Sequence, residues 1–173
     1  MGLLGIVMRV GGTLHTALFR RFRSPKIRRI AGLPILLLTV TGRRSGKAFT
    51  TPVVYLEHDG GYAVCASAGG QAEEPQWFKN LRAAPQARIE LGDITREVDV
   101  RIAAEPERRA LWARFLAEGT TFASYERKTD RPFAIAVLTP RWRLLLLRHV
   151  PDVVLEYALH DLEHHVWDVT KQQ

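Results

Sequence analysis

Three cations and a hydroxyl crowd into the stretch Thr41-Gly42-Arg43-Arg44-Ser45-Gly46-Lys47. Its two glycines allow tight backbone turns. Arginine engages oxyanions bidentately and lysine adds a point charge, so this loop has the chemistry to hold a phosphate or a multi-carboxylate tail. The alternative is a hairpin loop whose charges are merely solvated. A Walker loop is excluded, because the glycines stand too close together, Ala48 replaces the hydroxyl residue and no helix follows. A second stretch, Ala66-Ser67-Ala68-Gly69-Gly70, is built of small residues and leads into Pro75-Gln76-Trp77-Phe78-Lys79-Asn80-Leu81. Small residues let a flat ring system approach the backbone, whose amides then hydrogen-bond its polar edge, and Ser67 adds a hydroxyl. Trp77 reads either as a wall of such a site or as core, the usual fate of a helix aromatic.

Two other groups invite chemistry. His160 and His164 stand four apart beside Asp161, Glu163 and His165, which can put two imidazoles on one metal. No third ligand of zinc-site spacing accompanies them, so a solvated face is expected and no metal site is assigned. Cys65 is the single cysteine, which rules out an intrachain disulfide and suits a reducing cytoplasm. Its apolar setting predicts a buried structural thiol, not a nucleophile.

The elements that must hold these loops are mostly strands. Ile35 to Thr41 has the continuous apolar character of a buried strand. Thr50 to His58 predicts a second, turned at Asp59-Gly60-Gly61 into a third from Tyr62 to Ser67. A short helix is predicted from Pro75 to Ala83. Ala87 to Leu91 and Ile94 to Ala103 pair across Gly92-Asp93, with Val98, Val100 and Ile102 alternating against Glu97, Asp99 and Arg101. Glu105-Pro106-Glu107 opens a helix with Leu111, Trp112, Phe115 and Leu116 on one face. After a short segment around Tyr125, Phe133 to Thr139 is the last strand. Six strands and two inserted helices predict a small, mainly antiparallel barrel with helices at its side. The chain thus divides into an arm (1–32), a barrel domain (33–140) and an extension (141–173) in which Val154, Ala158, Leu162 and Val166 mark an amphipathic helix.

The net charge of +7 sits in the arm, where Arg9, Arg20, Arg21, Arg23, Lys26, Arg28 and Arg29 meet no acid. Leu3, Val7, Val10, Leu14 and Leu18 make an amphipathic stripe ahead of the basic cluster. That order suits a helix lying in an anionic membrane surface, or one docked on its own domain. No segment approaches the ~20 apolar residues of a spanning helix, and the arm lacks the pattern of a secretory leader. Nor do aromatics interleave its bases, so nucleic acid is not an expected partner. The expectation is a cytoplasmic protein, with peripheral attachment at the inner membrane face as one of the two uses open to the arm, and with its oligomeric state left open.

In order and spacing, Leu36 to Lys47 with Thr51-Pro52, the Ala66–Gly70 stretch, Pro75 to Leu81 and Thr129-Asp130-Arg131 resemble the deazaflavin-dependent nitroreductases, the F420H2-dependent quinone reductase family. The resemblance covers about residues 30–140. It implies a split β-barrel of the FMN-binding-split-barrel kind, mainly β with flanking helices. It also implies coenzyme F420, a deazaflavin with a phosphodiester and an oligoglutamate tail, and hydride transfer to an apolar conjugated acceptor such as a quinone or nitro compound. Carried over by position, Arg43, Arg44, Ser45, Gly46 and Lys47 hold the phosphate and the start of the tail. Thr51 and Pro52 line the coenzyme, and Ala66, Ser67, Ala68, Gly69, Gly70, Gln76, Trp77 and Asn80 cradle the ring end, with Ser67 and Tyr125 nearest the chemistry. Tyr125 falls where the family places a substrate-side tyrosine. This sequence departs from the family at Gly119 and Phe122, where relatives that activate bulky nitroimidazoles carry further tyrosines, and at Phe49 and Ala68, where relatives often carry a basic residue. Two other readings stay open on the same barrel: a non-catalytic binder of a lipid, fatty acid or haem-like ligand, and an FMN-dependent relative.

Overall fold

The computed structural model describes residues 29–30 and 32–141. The amphipathic stripe of the arm, and the helix predicted for the C-terminal extension with His160 and His164, lie outside the described residues. In chain order come β1 (Arg29–Ile30), β2 (Leu33–Thr41), β3 (Ala48–His58), β4 (Gly61–Cys65), a 3-10 turn (Ala68–Gly70), α1 (Gln76–Arg82), β5 (Gln86–Leu91), β6 (Ile94–Ile102), α2 (Glu107–Glu118), α3 (Phe122–Glu126) and β7 (Ile135–Pro140).

The strands pair antiparallel in the order β2-β3-β4-β7-β6-β5, and β5 returns to β2, closing a barrel. The expected barrel is therefore present, with the short β1 added where Arg29 and Ile30 pair with Pro34 and Leu33. β2 is laddered on both sides and buried on both faces, which is why it reads as an unbroken apolar run. Leu36, Leu38 and Val40 point into the barrel with Val53, Val64, Ile89, Val98 and Leu138. Phe78 and Leu81, three apart on α1, plug that interior. On the outer face, Leu56, Ala63, Cys65, Ile135 and Val137 are covered by Leu111, Trp112 and Phe115 of α2 and Phe122 of α3. The α2 face read from the sequence is thus the buried one.

Asp59 (φ +49°) and Gly60 (φ +65°) form the β3–β4 turn, the left-handed pair that a two-residue hairpin demands. Gly61 already belongs to β4, where a Cβ would strike the Leu138 carbonyl. His58, Asp59 and Glu107 bring their donor atoms within 4.8 Å of one another. Arg101 already engages both Glu107 oxygens, which makes the group a clasp between this turn and the start of α2.

Several boundaries differ from expectation, β2 and β3 each beginning two residues earlier, at Leu33 and Ala48. β4 stops at Cys65, because Ser67 already leaves extended backbone (φ −66°, ψ −35°) to begin the bend. β7 starts at Ile135; Phe133 instead sets its ring 4.9 Å from that of Trp112. The segment around Tyr125 is a helix, α3, tied to α2 by the Trp112 indole N–H, which donates to Glu126 Oε1 at 2.6 Å. No helix among the described residues is long and apolar enough to cross a membrane.

Candidate active site

The loop from Gly42 to Lys47 connects the paired ends Thr41 and Ala48. The Gly42 N–H donates to the Lys47 carbonyl at 2.8 Å, and the Gly46 N–H to the Gly42 carbonyl at 2.8 Å. Gly46 takes φ +67°, a conformation costing other L residues about 1–2 kcal/mol. Gly42 answers a spatial demand, since a Cβ there would collide with the Phe49 ring. Ser45 Oγ accepts from the Lys47 N–H at 3.4 Å.

The cations of this loop divide. Arg43 turns to α1: Nη1 donates to Asn80 Oδ1 at 2.7 Å, Nη2 to Gln76 Oε1 at 3.2 Å, and the backbone N–H to Asn80 Oδ1 at 3.4 Å. Arg44 and Lys47 are exposed, and their side chains have no acidic partner among the described residues.

The small-residue bend follows β4. Ser67 is right-handed, whereas Ala68, Gly69 and Gly70 take φ of +49°, +68° and +83°. A right-handed residue followed by a left-handed one turns successive N–H groups into a concavity that suits negative charge. The Gly70 N–H is spent on the Ser67 carbonyl at 2.9 Å and the Gln71 N–H on the Ala68 carbonyl at 3.4 Å. The Ala68 and Gly69 N–H groups have no acceptor among the described residues. The Ser67 hydroxyl also lacks one, although the residue is only 9% exposed. Space beside Gly69 is open: a Cβ there would meet nothing within 4 Å.

Gly70 is the opposite case. A Cβ on it would sit 2.9 Å from the Tyr125 carbonyl oxygen and 3.0 Å from the Lys128 side chain, so only glycine lets α3 pack on the bend. Thr121 Oγ1 donates to the Tyr125 hydroxyl at 3.0 Å, which leaves the phenol proton free to be given elsewhere. Two residues given no role from the sequence support this corner. Arg131 Nη2 donates to the Ala66 and Gln71 carbonyls, both at 3.1 Å, with its guanidinium 4.9 Å above the Phe133 ring. Lys128 lies 5.4 Å over the Tyr125 ring and reaches the Gly69 carbonyl at 3.4 Å. The signal for the first was the Thr129-Asp130-Arg131 motif, which marked the segment without saying what its arginine touches.

The candidate residues therefore gather in two groups: Arg43 with Gln76 and Asn80, and the Ala66–Gly70 bend with Tyr125. Thr51 and Pro52 belong to β3 opposite Leu38 and Leu37, where alternation sends their side chains to opposite faces. No hydrogen bond joins either to the two groups. Trp77 is half-buried, packed on the barrel core and edge-on to Phe78 at 5.3 Å. Phe122 is fully buried and its ring fills the space that a side chain at Gly119 would need, so these two positions face the outer core. Cys65 is buried, and burial pushes its thiol up to about 12, as its apolar setting predicts.

A sequence profile of the F420H(2)-dependent quinone reductase family matches residues 12–140. A Mycobacterium tuberculosis protein provisionally named as such a reductase is 38% identical over 120 residues, covering 69% of this chain and 95% of that relative. A second one from the same organism, named F420H(2)-dependent quinone reductase, is 32% identical over 133 residues, covering 74% and 89%. The solved structure of an F420-H2 dependent reductase, FDR-A, is 33% identical with a TM-score of 0.56 and covers 61% of this chain and 93% of that one. On these likenesses, the chain is a split β-barrel protein that belongs to the F420H(2)-dependent quinone reductase family.

Proposed function

We propose that this chain binds reduced coenzyme F420 at the cation loop and the small-residue bend, and reduces an apolar, conjugated acceptor of the quinone type. The observation that carries the reading is the pairing of unspent groups. Among the described residues, Arg44 and Lys47 are cations without acids, and Ala68 and Gly69 offer amide donors without acceptors, beside a buried Ser67 hydroxyl in the same condition. Those donors match the coenzyme's chemistry: cations for a phosphodiester and carboxylate tail, and a side-chain-free approach at Gly69 for a flat ring.

Arg44, Ser45, Gly46 and Lys47 grip the tail, with Arg43 between loop and α1. Ala66, Ser67, Ala68, Gly69, Gly70, Gln76, Trp77 and Asn80 form the ring end, and Thr51 and Pro52 flank it from β3. When bound, reduced F420 supplies a hydride. The Ala68 and Gly69 amides are fixed before any ligand arrives and stabilise negative charge there without reorganising. Tyr125, its oxygen already accepting from Thr121, orients the acceptor and gives its phenol proton. The basic stripe of residues 1–32, ahead of the barrel at 33–140, supports peripheral contact with an anionic membrane from the cytoplasmic side, where a quinone is dissolved.

Titrating the purified protein with F420 and following coenzyme fluorescence tests this. Saturable binding at micromolar coenzyme is expected, and absence of binding by folded protein refutes it. Lipid or haem found by mass spectrometry of the purified material, with no F420 binding, would favour a carrier.

A further inference from the structure

We infer that Arg43 is a positioning residue: it holds the carboxamides of Asn80 and Gln76 with their oxygens inward, so that both present N–H donors to the coenzyme. This deepens the F420 reading and rests on it. Sequence position alone puts Arg43 in the tail grip beside Arg44 and Lys47, but its contacts are of another kind.

The guanidinium carries only donors, so the carboxamide atoms it meets are oxygens. Nη1 lies 2.7 Å from Asn80 Oδ1 and Nη2 3.2 Å from Gln76 Oε1. Two fixed N–H directions of one rigid fork thus set two side chains on successive turns of α1. Asn80 is only 9% exposed, its Oδ1 also accepts from the Arg43 backbone, and its Nδ2 has no acceptor among the described residues. A buried amide group with oxygen satisfied and nitrogen unspent calls for a ligand edge bearing acceptors. A ring carbonyl or ring nitrogen has that chemistry. The geometry therefore splits the cations by task, with Arg44 and Lys47 left for the anionic tail and Arg43 ordering donors for the ring.

The test compares F420 with the same deazaflavin riboside lacking phosphate and tail, both by fluorescence titration of coenzyme-free protein. Arg43→Met and Arg43→Lys are expected to weaken both compounds by the same factor, roughly tenfold, since a charge-assisted bond is involved. Arg44→Met is expected to weaken F420 alone. Asn80→Asp keeps an oxygen toward Arg43 but removes the outward donor, so it is expected to retain its melting temperature and lose roughly tenfold in affinity for both compounds. A double-mutant cycle of Arg43→Met and Asn80→Ala on the melting of coenzyme-free protein is expected to show coupling. Absence of coupling overturns the proposal even where the tail-less compound binds weakly. So does an Arg43→Met variant that loses F420 affinity while holding the tail-less compound as the wild type does. Wild-type protein that binds neither compound, with the coupling intact, would overturn the coenzyme reading itself and with it the role of the donors.

Discussion

Arg131→Met removes the clamp behind the small-residue bend, and its cost can be worked from the contacts. The Ala66 carbonyl belongs to a residue with no exposed surface and accepts from Arg131 Nη2 at 3.1 Å. Left unpaired, a buried carbonyl costs about 1–3 kcal/mol. The bonds to the Gln71 carbonyl are exposed and add about 0.5 kcal/mol. The guanidinium above Phe133, at 4.9 Å, contributes about 0.5–1 kcal/mol. The sum is about 2–4.5 kcal/mol, which for a chain of this size lowers the melting temperature by roughly 4–18 °C. Thermal unfolding measures the total and amide hydrogen exchange locates it. Protection is expected to fall first at Gly70 and Gln71, whose N–H groups are the bonded ones of the bend, and F420 affinity to fall with it. A variant within about 0.5 kcal/mol of the wild type, or one whose loss of protection spreads evenly over the barrel strands, would refute the clamp.

Other consequences follow from the same geometry. Gly70→Ala meets both a left-handed backbone and the Tyr125 carbonyl, whereas Gly69→Ala meets the backbone strain alone, so the first is expected to destabilise by at least about 1 kcal/mol more in chemical denaturation. Trp112→Phe loses the bond to Glu126 that moors α3, and is expected to lower kcat more than it raises KM for coenzyme as Tyr125 loses its support. Arg101 and His58 hold Glu107 down to about 2 from an ordinary 4.5; the stability this gives is present above pH 4.5 and is lost as pH falls through 2. Because Arg101 is largely exposed, screening makes that contribution small, and Glu107→Gln is expected to flatten the acid limb of urea midpoint against pH. With its thiol raised to about 12 by burial, Cys65 is expected to ignore a thiol reagent at pH 8 until the protein is unfolded.

Periodicity carried the barrel because each strand keeps one consistent pattern. β2 is apolar throughout since it is covered on both faces, and β6 alternates since one side is half-exposed. The Asp59-Gly60 turn was legible because only left-handed conformations close so short a hairpin. What the sequence hid were contacts between segments far apart in the chain. Nothing local to Arg43 shows that Asn80 and Gln76 will take its donors, and nothing local to Arg131 shows that it will reach back to Ala66. Helix α3 went unseen because its short, mixed sequence gives no helical stripe and owes its shape to Phe122 packing under Trp112. Thr51 and Pro52 looked like one motif, yet strand alternation separates them.

The barrel is fastened by its shortest ladder. Leu37, Leu38 and Thr39 join Glu90, Ile89 and Arg88, whereas on its other flank β2 runs beside β3 from Ile35 to Thr41. Breathing of the ring therefore starts at this seam, parting Leu38 from Ile89 like the first teeth of a zipper, while the β2–β3 hairpin that carries the cation loop stays in register. Deuterium ought to enter the seam amides well before those of the hairpin, so the molecule can open one side for an instant without letting go of whatever its basic loop is holding.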